Sequence, residues 1–172
     1  MYFESLPKLY YPYKDKNKKQ VQKVVPDIFR RVHLDKYFEN RLNLLDFYLN
    51  DGETPESVAH EYYGSVKYHW IVLLCNNIVD VKREWPLSQA DVVRYAKDKY
   101  GENNISDVHH YVMKDHKDII VDWDAVKVAN GDYLAVTNID YETELNDDKR
   151  QIYLLDKRFV SDIIQQYKKL VK

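Results

Sequence analysis

Cysteine is nearly absent. Cys75 is the single one in 172 residues, so no internal disulfide can form. The chain suits a reducing compartment and needs no oxidising one. Cys75 lies in an apolar run, the setting of a small buried hydrophobe rather than a nucleophile. Glycine is also scarce, at four, which argues against a Gly-rich phosphate loop and a turn-dense β-sandwich. No stretch approaches the roughly 18 apolar residues of a membrane-spanning helix, so no membrane insertion is expected. Residues 1–13 lack the basic segment and continuous apolar core of an export signal. The formal charge of −2 gives no electrostatic argument for nucleic acid or a membrane surface.

Tyrosine is abundant, at 16. It buries a large ring at low entropic cost and keeps a polar tip, which favours contact surfaces. Charge is segregated along the chain. Residues 102–148 carry 3 basic against 12 acidic side chains, while residues 1–50 carry 10 against 6 and residues 149–172 carry 7 against 2. An acidic segment between basic ends suits docking against charged surfaces within the chain or on neighbours, or simply a solvated face.

The most legible stretch runs from Leu44 to Asp80. Leu44 to Leu49 reads as a strand and Asp51-Gly52 as a turn. Thr54 suits an N-cap with Pro55 at the first helical position. Val58, Ala59, Tyr62 and Tyr63 keep helical spacing to a stop at Gly64. Ser65 caps a second helix whose buried side is Trp70, Ile71, Leu73 and Leu74, ending at Asn76-Asn77. Further on, Val81 to Glu84 reads as a loop and Trp85-Pro86-Leu87 as extended. Ser88 and Asp91 form a capping-box start to a helix over Gln89 to Tyr100, stopped by Gly101.

The pattern Asp51-Gly52-Glu53-Thr54, Val58-Ala59, Trp70 to Leu74 and Asn76 resembles the first three elements of a LysM module. The longer pattern adds an aromatic N-terminus, Tyr62-Tyr63-Gly64, His69-Trp70-Ile71, Asn76-Asn77-Ile78 and Trp85-Pro86-Leu87. It resembles the LysM-containing baseplate wedge subunit of contractile-tailed, T-even-like bacteriophages. The resemblance implies a structural virion protein of the tail baseplate, made in the host cytoplasm, that binds other wedge subunits and joins neighbouring copies of the wedge. A second LysM strand signal is missing, and Trp85-Pro86-Leu87 with the following helix is expected to close that side. The LysM resemblance alone implies a different role, gripping N-acetylglucosamine polymers with Gly52, Glu53, Thr54, Pro55, Asn77, Ile78 and Val79. Turning and capping already account for Gly52, Thr54 and Pro55, and the lack of an export signal weighs against a cell-wall role.

At the N-terminus, residues 1–13 hold two prolines and read as an extended aromatic arm. Phe3, Tyr10, Tyr11 and Tyr13 are its candidate partner contacts. Lys14 to Lys19 reads as a basic linker, Val21 to Val32 as a helix with Pro26 as a possible start, and Lys36 to Asn43 as a loop or short helix. After Gly101, His109–Met113 and Ile119–Trp123 predict a hairpin that Val126 and Val128 extend. Asn130-Gly131-Asp132 is a turn and Tyr133 to Thr137 a strand or the start of an arm. Asn138 to Arg150 reads as charged and irregular, Ile152 to Leu155 as a short strand, and the rest as an amphipathic helix.

No site for chemistry emerges. His109, His110 and His116 lie near Asp115 and Asp118, but adjacent strand residues point to opposite faces. At most one of the first two could join His116, so no metal is expected. No nucleophile motif is present, and no cofactor or enzymatic activity is expected. Basic residues with interleaved aromatics over residues 8–41 fit no nucleic-acid motif, and the acidic middle opposes nucleic acid. The expected fold is α+β: an aromatic arm and helix over residues 1–43, a LysM-like core with its following helix over residues 44–101, and a small β region with a C-terminal helix over residues 102–172.

Overall fold

The computed structural model describes residues 6–27 and 43–170. Phe3, the expected helix beyond Asp27 and most of the expected loop or short helix at Lys36 to Asn43 lie outside the described residues. Helices mix with small, separate sheets, so the fold is α+β as the sequence indicates. The chain forms two compact units. One comprises Met1–Phe47, Thr54–Val79 and Tyr153–Lys172, as far as these are described, and the other Tyr48–Glu53 and Asp80–Ile152.

The first unit opens with an antiparallel hairpin, β1 (Lys8–Lys14) and β2 (Gln20–Pro26). This corrects two expectations. The arm is a paired strand over Lys8–Lys14, and Val21 to Pro26 is strand rather than helix. The spacing of Val21, Val24 and Val25 misleads because β-branched side chains favour extended backbone. The expected linker is the turn. Asp15 accepts hydrogen bonds from the Asn17 and Lys19 amides at 2.8 and 2.9 Å. Lys18 takes the left-handed conformation at φ 61°.

β3 (Leu44–Tyr48) and α1 (Pro55–Tyr63) follow as expected. Thr54 caps α1 through the Ser57 amide at 3.2 Å, and the Ser57 hydroxyl accepts from the Thr54 amide at 2.9 Å. Gly64 ends α1 at φ 76°, a conformation that favours glycine. Ser65 caps a 3-10 turn at Val66–Tyr68, which runs into α2 (His69–Cys75). The strand paired with β3 is β7 (Gln151–Leu155), far along the chain. The pairing strand was expected to be missing, with Trp85-Pro86-Leu87 and the next helix filling its place. A 3-10 turn at Lys157–Phe159 leads into α7 (Val160–Leu170). Leu6, Trp70, Ile71, Leu155, Ile163 and Tyr167 form the core, with the Trp70 and Tyr167 rings 4.9 Å apart. Ile71 and Ile163 are almost completely buried, so truncating either to alanine costs about 2–5 kcal/mol.

The second unit starts from the Asp51-Gly52 turn and α3 (Val81–Glu84). α3 replaces the expected loop because Asp80 accepts from the Lys82 amide at 3.1 Å and caps one helical turn. α4 (Gln89–Tyr100) has the expected bounds and buries Val92 and Ala96. β4 (Val108–Met113) pairs with β5 (Ile120–Val121) and β6 (Tyr133–Thr137), in the order β5-β4-β6. Between β5 and β6, Val126 and Val128 lie in α5 (Ala125–Ala129) rather than extending the hairpin. The cause is Asp124, which accepts from the Val126 and Lys127 amides at 2.9 and 3.1 Å.

The segment expected to be irregular is α6 (Asn138–Asp147) with a 3-10 turn at Asp148–Arg150. Thr137 caps it in a capping box with Asp140. Asn138, Glu142, Asn146 and Arg150 recur every four residues and are all buried. They are the polar side chains that the described core takes in, and each has a partner. Asn138 donates to Asn104 O at 2.8 Å. Glu142 accepts from Lys99 Nζ and the Tyr100 hydroxyl, both at 2.7 Å. Asn146 accepts from the Leu87 amide at 2.7 Å and donates to Leu87 O at 3.0 Å. Arg150 donates to Asp147 at 2.7 Å and Asp51 at 3.1 Å.

Candidate functional site

The hairpin is rooted by Leu6, buried in the first unit's core, and by the Asp27 amide donating to Pro7 O at 2.8 Å. Beyond that root nearly all of it is exposed. Tyr10 is 72% exposed, Tyr11 61% and Tyr13 42%. The strand register sorts them, because directly opposed residues share a face. Leu9 lies opposite Val25, Tyr11 opposite Lys23 and Tyr13 opposite Val21. That face is apolar apart from Lys23. Tyr10 stands on the other face opposite the exposed Val24, among Lys8, Lys14, Gln20 and Gln22. Of the sequence-predicted contacts, the structure thus brings Tyr11 and Tyr13 together and turns Tyr10 away.

An isolated two-stranded hairpin is marginally stable in water, and apolar side chains exposed on one face mark a contact surface. Six lysines against one aspartate between Lys8 and Pro26 make this surface basic.

A second exposed apolar surface lies in the other unit, from Asp118 to Val126. Ile119, Ile120, Trp123 and Val126 are exposed there, among Asp118, Asp122 and Asp124. The sequence reading took Ile119 to Trp123 as part of a hairpin and missed this surface. The signal was the alternation of aspartates with large apolar residues.

The residues of the sugar-binding alternative have local tasks. The Glu53 carboxylate accepts from the Asn50 amide at 2.6 Å, and Glu53 O accepts from Trp85 Nε1 at 2.7 Å. Thr54 caps α1 and Pro55 is buried. Asn77 holds φ 54°, and its amide donates to Leu74 O at 3.2 Å. The Ile78 amide donates to Leu73 O at 2.9 Å, and Val79 is exposed.

Within the second unit a groove of about 480 Å³ lies beside α4 and α6. Its apolar lining includes Leu87, Val92, Tyr95 and Leu145, and its charged lining Lys82, Arg83, Lys99, Lys149 and Glu142. Hydrogen bonds from the Gln89 amide and then Arg150 hold the Asp51 carboxyl below the usual carboxylate range.

The histidine pair departs from expectation. A bulge between Val108 and His110 breaks the strand alternation. The two Nδ1 atoms come within 2.8 Å, one donating to the other, and His109 stacks on Tyr141 at 4.0 Å. His116 lies in the β4–β5 turn, its amide donating to Met113 O at 3.3 Å. Among the described residues, no three His, Cys, Asp or Glu side chains converge on a point that could hold a metal ion. No described helix is long and apolar enough to cross a membrane.

A curated protein, "Baseplate wedge protein gp53" of Enterobacteria phage T4, is 29% identical to this chain over 103 residues. The match covers 58% of this chain and 52% of the relative, so the chain spans about half the length of that protein. Residues 1–132 match the family described as Base plate wedge protein 53. This match takes in the hairpin, the strand–helix–helix stretch and the Asp118–Val126 surface. The chain belongs to the Base plate wedge protein 53 family.

Proposed function

We propose that this protein is a noncatalytic structural subunit of a contractile-tail baseplate. It binds other wedge subunits and joins adjacent wedges, after synthesis in the host cytoplasm. The observation that carries the reading is the basic aromatic hairpin, exposed on both faces in a chain of a baseplate wedge family. A catalytic protein has no evident use for such an element, whereas an assembly protein can bury it on a neighbour. Tyr11 and Tyr13 anchor one contact and Tyr10 another, with Phe3 as a further candidate. Aromatic anchors of this kind dominate interface energetics.

The order β3-α1-α2 with β7 as partner strand supports a LysM-like module whose second strand arrives after a long insertion. In this reading the module is a rigid base for the hairpin. The test is assembly of purified wedge proteins with a chain lacking residues 8–26. Loss of incorporation with α1, α2 and α7 still folded supports the reading, and undiminished incorporation sinks it. Retention on peptidoglycan or chitin, lost when Glu53 and Asn77 are replaced, would favour sugar binding instead.

A further inference from the structure

We propose that the hairpin face formed by Leu9, Tyr11, Tyr13, Val21, Lys23 and Val25 docks on the Asp118–Val126 surface of a second copy of this chain. The inference rests on the reading of the hairpin as a contact surface and names one partner for it. The two surfaces hold eight of the twenty exposed large hydrophobic residues among those described. They are opposite in charge. The hairpin has six lysines and one aspartate, whereas Asp118 to Val126 has three aspartates and no lysine or arginine.

The shapes of the two elements also suit such a contact. The hairpin strands are seven residues long, roughly 23 Å at ordinary strand rise. A strand of that length lays Leu9, Tyr11 and Tyr13 along one face. On the receiving side β5 is an outer strand, since the sheet order is β5-β4-β6. The acidic surface therefore begins at a sheet edge that no described strand covers. Lys23 on the apolar face, with Lys16, Lys18 and Lys19 at the tip, meets Asp118, Asp122 and Asp124. Opposed charges of this kind steer encounter and fix register. One copy offers the hairpin and the next the acidic surface, so the contact is head to tail and can propagate or close into a ring.

The chain carries its own probe. Of its three tryptophans, Trp70 and Trp85 are 7% and 5% exposed and Trp123 is 64% exposed. Self-docking buries Trp123, so emission shifts to the blue and quenching falls as protein concentration rises. Sedimentation of the full chain is expected to show association that weakens with salt, as screening requires. Reversing the hairpin charge (Lys16→Glu, Lys18→Glu, Lys23→Glu) weakens association at least tenfold. So does reversing the other surface (Asp118→Lys, Asp122→Lys, Asp124→Lys). Mixing the two reversed variants restores a one-to-one pair, which misfolded variants could not do.

A wild-type chain that stays monomeric, with Trp123 equally quenched at all concentrations, overturns the proposal. So does association that neither reversal weakens, or reversed variants that fail to pair. A monomeric chain whose hairpin deletion still blocks wedge assembly overturns the self-docking alone and leaves the assembly reading standing.

Discussion

The side chain of Asn76 takes the place of a neighbouring strand for Tyr153. The Tyr153 amide donates to Asn76 Oδ1 at 2.8 Å, and Asn76 Nδ2 donates to Tyr153 O at 2.8 Å. Nδ2 also reaches Val72 O, again at 2.8 Å. One residue thus closes the end of α2 and satisfies both backbone groups of a residue in β7. Asn146 does the same for Leu87 in the other unit.

Replacing Asn76 by alanine leaves the Tyr153 amide and carbonyl unpaired. The expected loss is about 2–3 kcal/mol, by the cost of a buried group without its partner. Asn76→Asp does not rescue it, because its second carboxylate oxygen faces two carbonyls. Urea melts of the three proteins decide this, and an aspartate variant as stable as wild type would contradict the two-point bond.

Glu142 makes stability depend on pH. Burial pushes its carboxyl up, but the hydrogen bonds from Lys99 and Tyr100 outweigh this and hold it below its ordinary 4.5. The folded value lies below the unfolded one. The charged form therefore contributes stability above the ordinary value, and that contribution is lost as pH falls through the folded value. Glu142→Gln is expected to cost about 1–3 kcal/mol near neutrality. The difference from wild type should vanish in acid; a constant difference down to strong acid would contradict the assignment.

Cys75 should resist alkylation in the native state. Burial pushes its thiol up to about 12, so almost no thiolate forms near neutrality. Iodoacetamide labelling followed by mass spectrometry is expected to mark Cys75 only as the chain unfolds. Rapid labelling of the folded protein would place the thiol in the open.

Lys18 carries the strain of the hairpin turn at φ 61°. Glycine adopts this conformation without the steric cost of a side chain. Lys18→Gly is expected to stabilise the hairpin by roughly 1 kcal/mol, read as slower amide exchange across β1 and β2. Faster exchange would mean that the lysine side chain itself supports the turn.

The sequence was most legible where caps and apolar spacing agreed. Thr54 with Pro55, Gly64, Ser88 with Asp91, and Gly101 placed α1 and α4 correctly. It failed where the buried face is polar. Asn138, Glu142, Asn146 and Arg150 keep helical spacing, but a search for apolar periodicity cannot register them. It failed again in the hairpin, where β-branched valines happened to fall near helical spacing and the partner strand lay across a turn. Of the candidate contacts, Tyr10, Tyr11 and Tyr13 were visible as aromatic residues near a terminus. Their division between two faces was not, because it depends on pairing with β2. The exposure of Trp123, which lies between β5 and α5, likewise depends on tertiary packing that no local pattern reveals.

The central claim is that the hairpin is a surface this protein buries on its partners. Hydrogen exchange of residues 8–26, compared between the free chain and the chain mixed with purified wedge proteins, tests it most directly. Strong added protection across β1 and β2 on assembly is the predicted result. Exchange that stays as fast in the assembled wedge as in the free chain would contradict it.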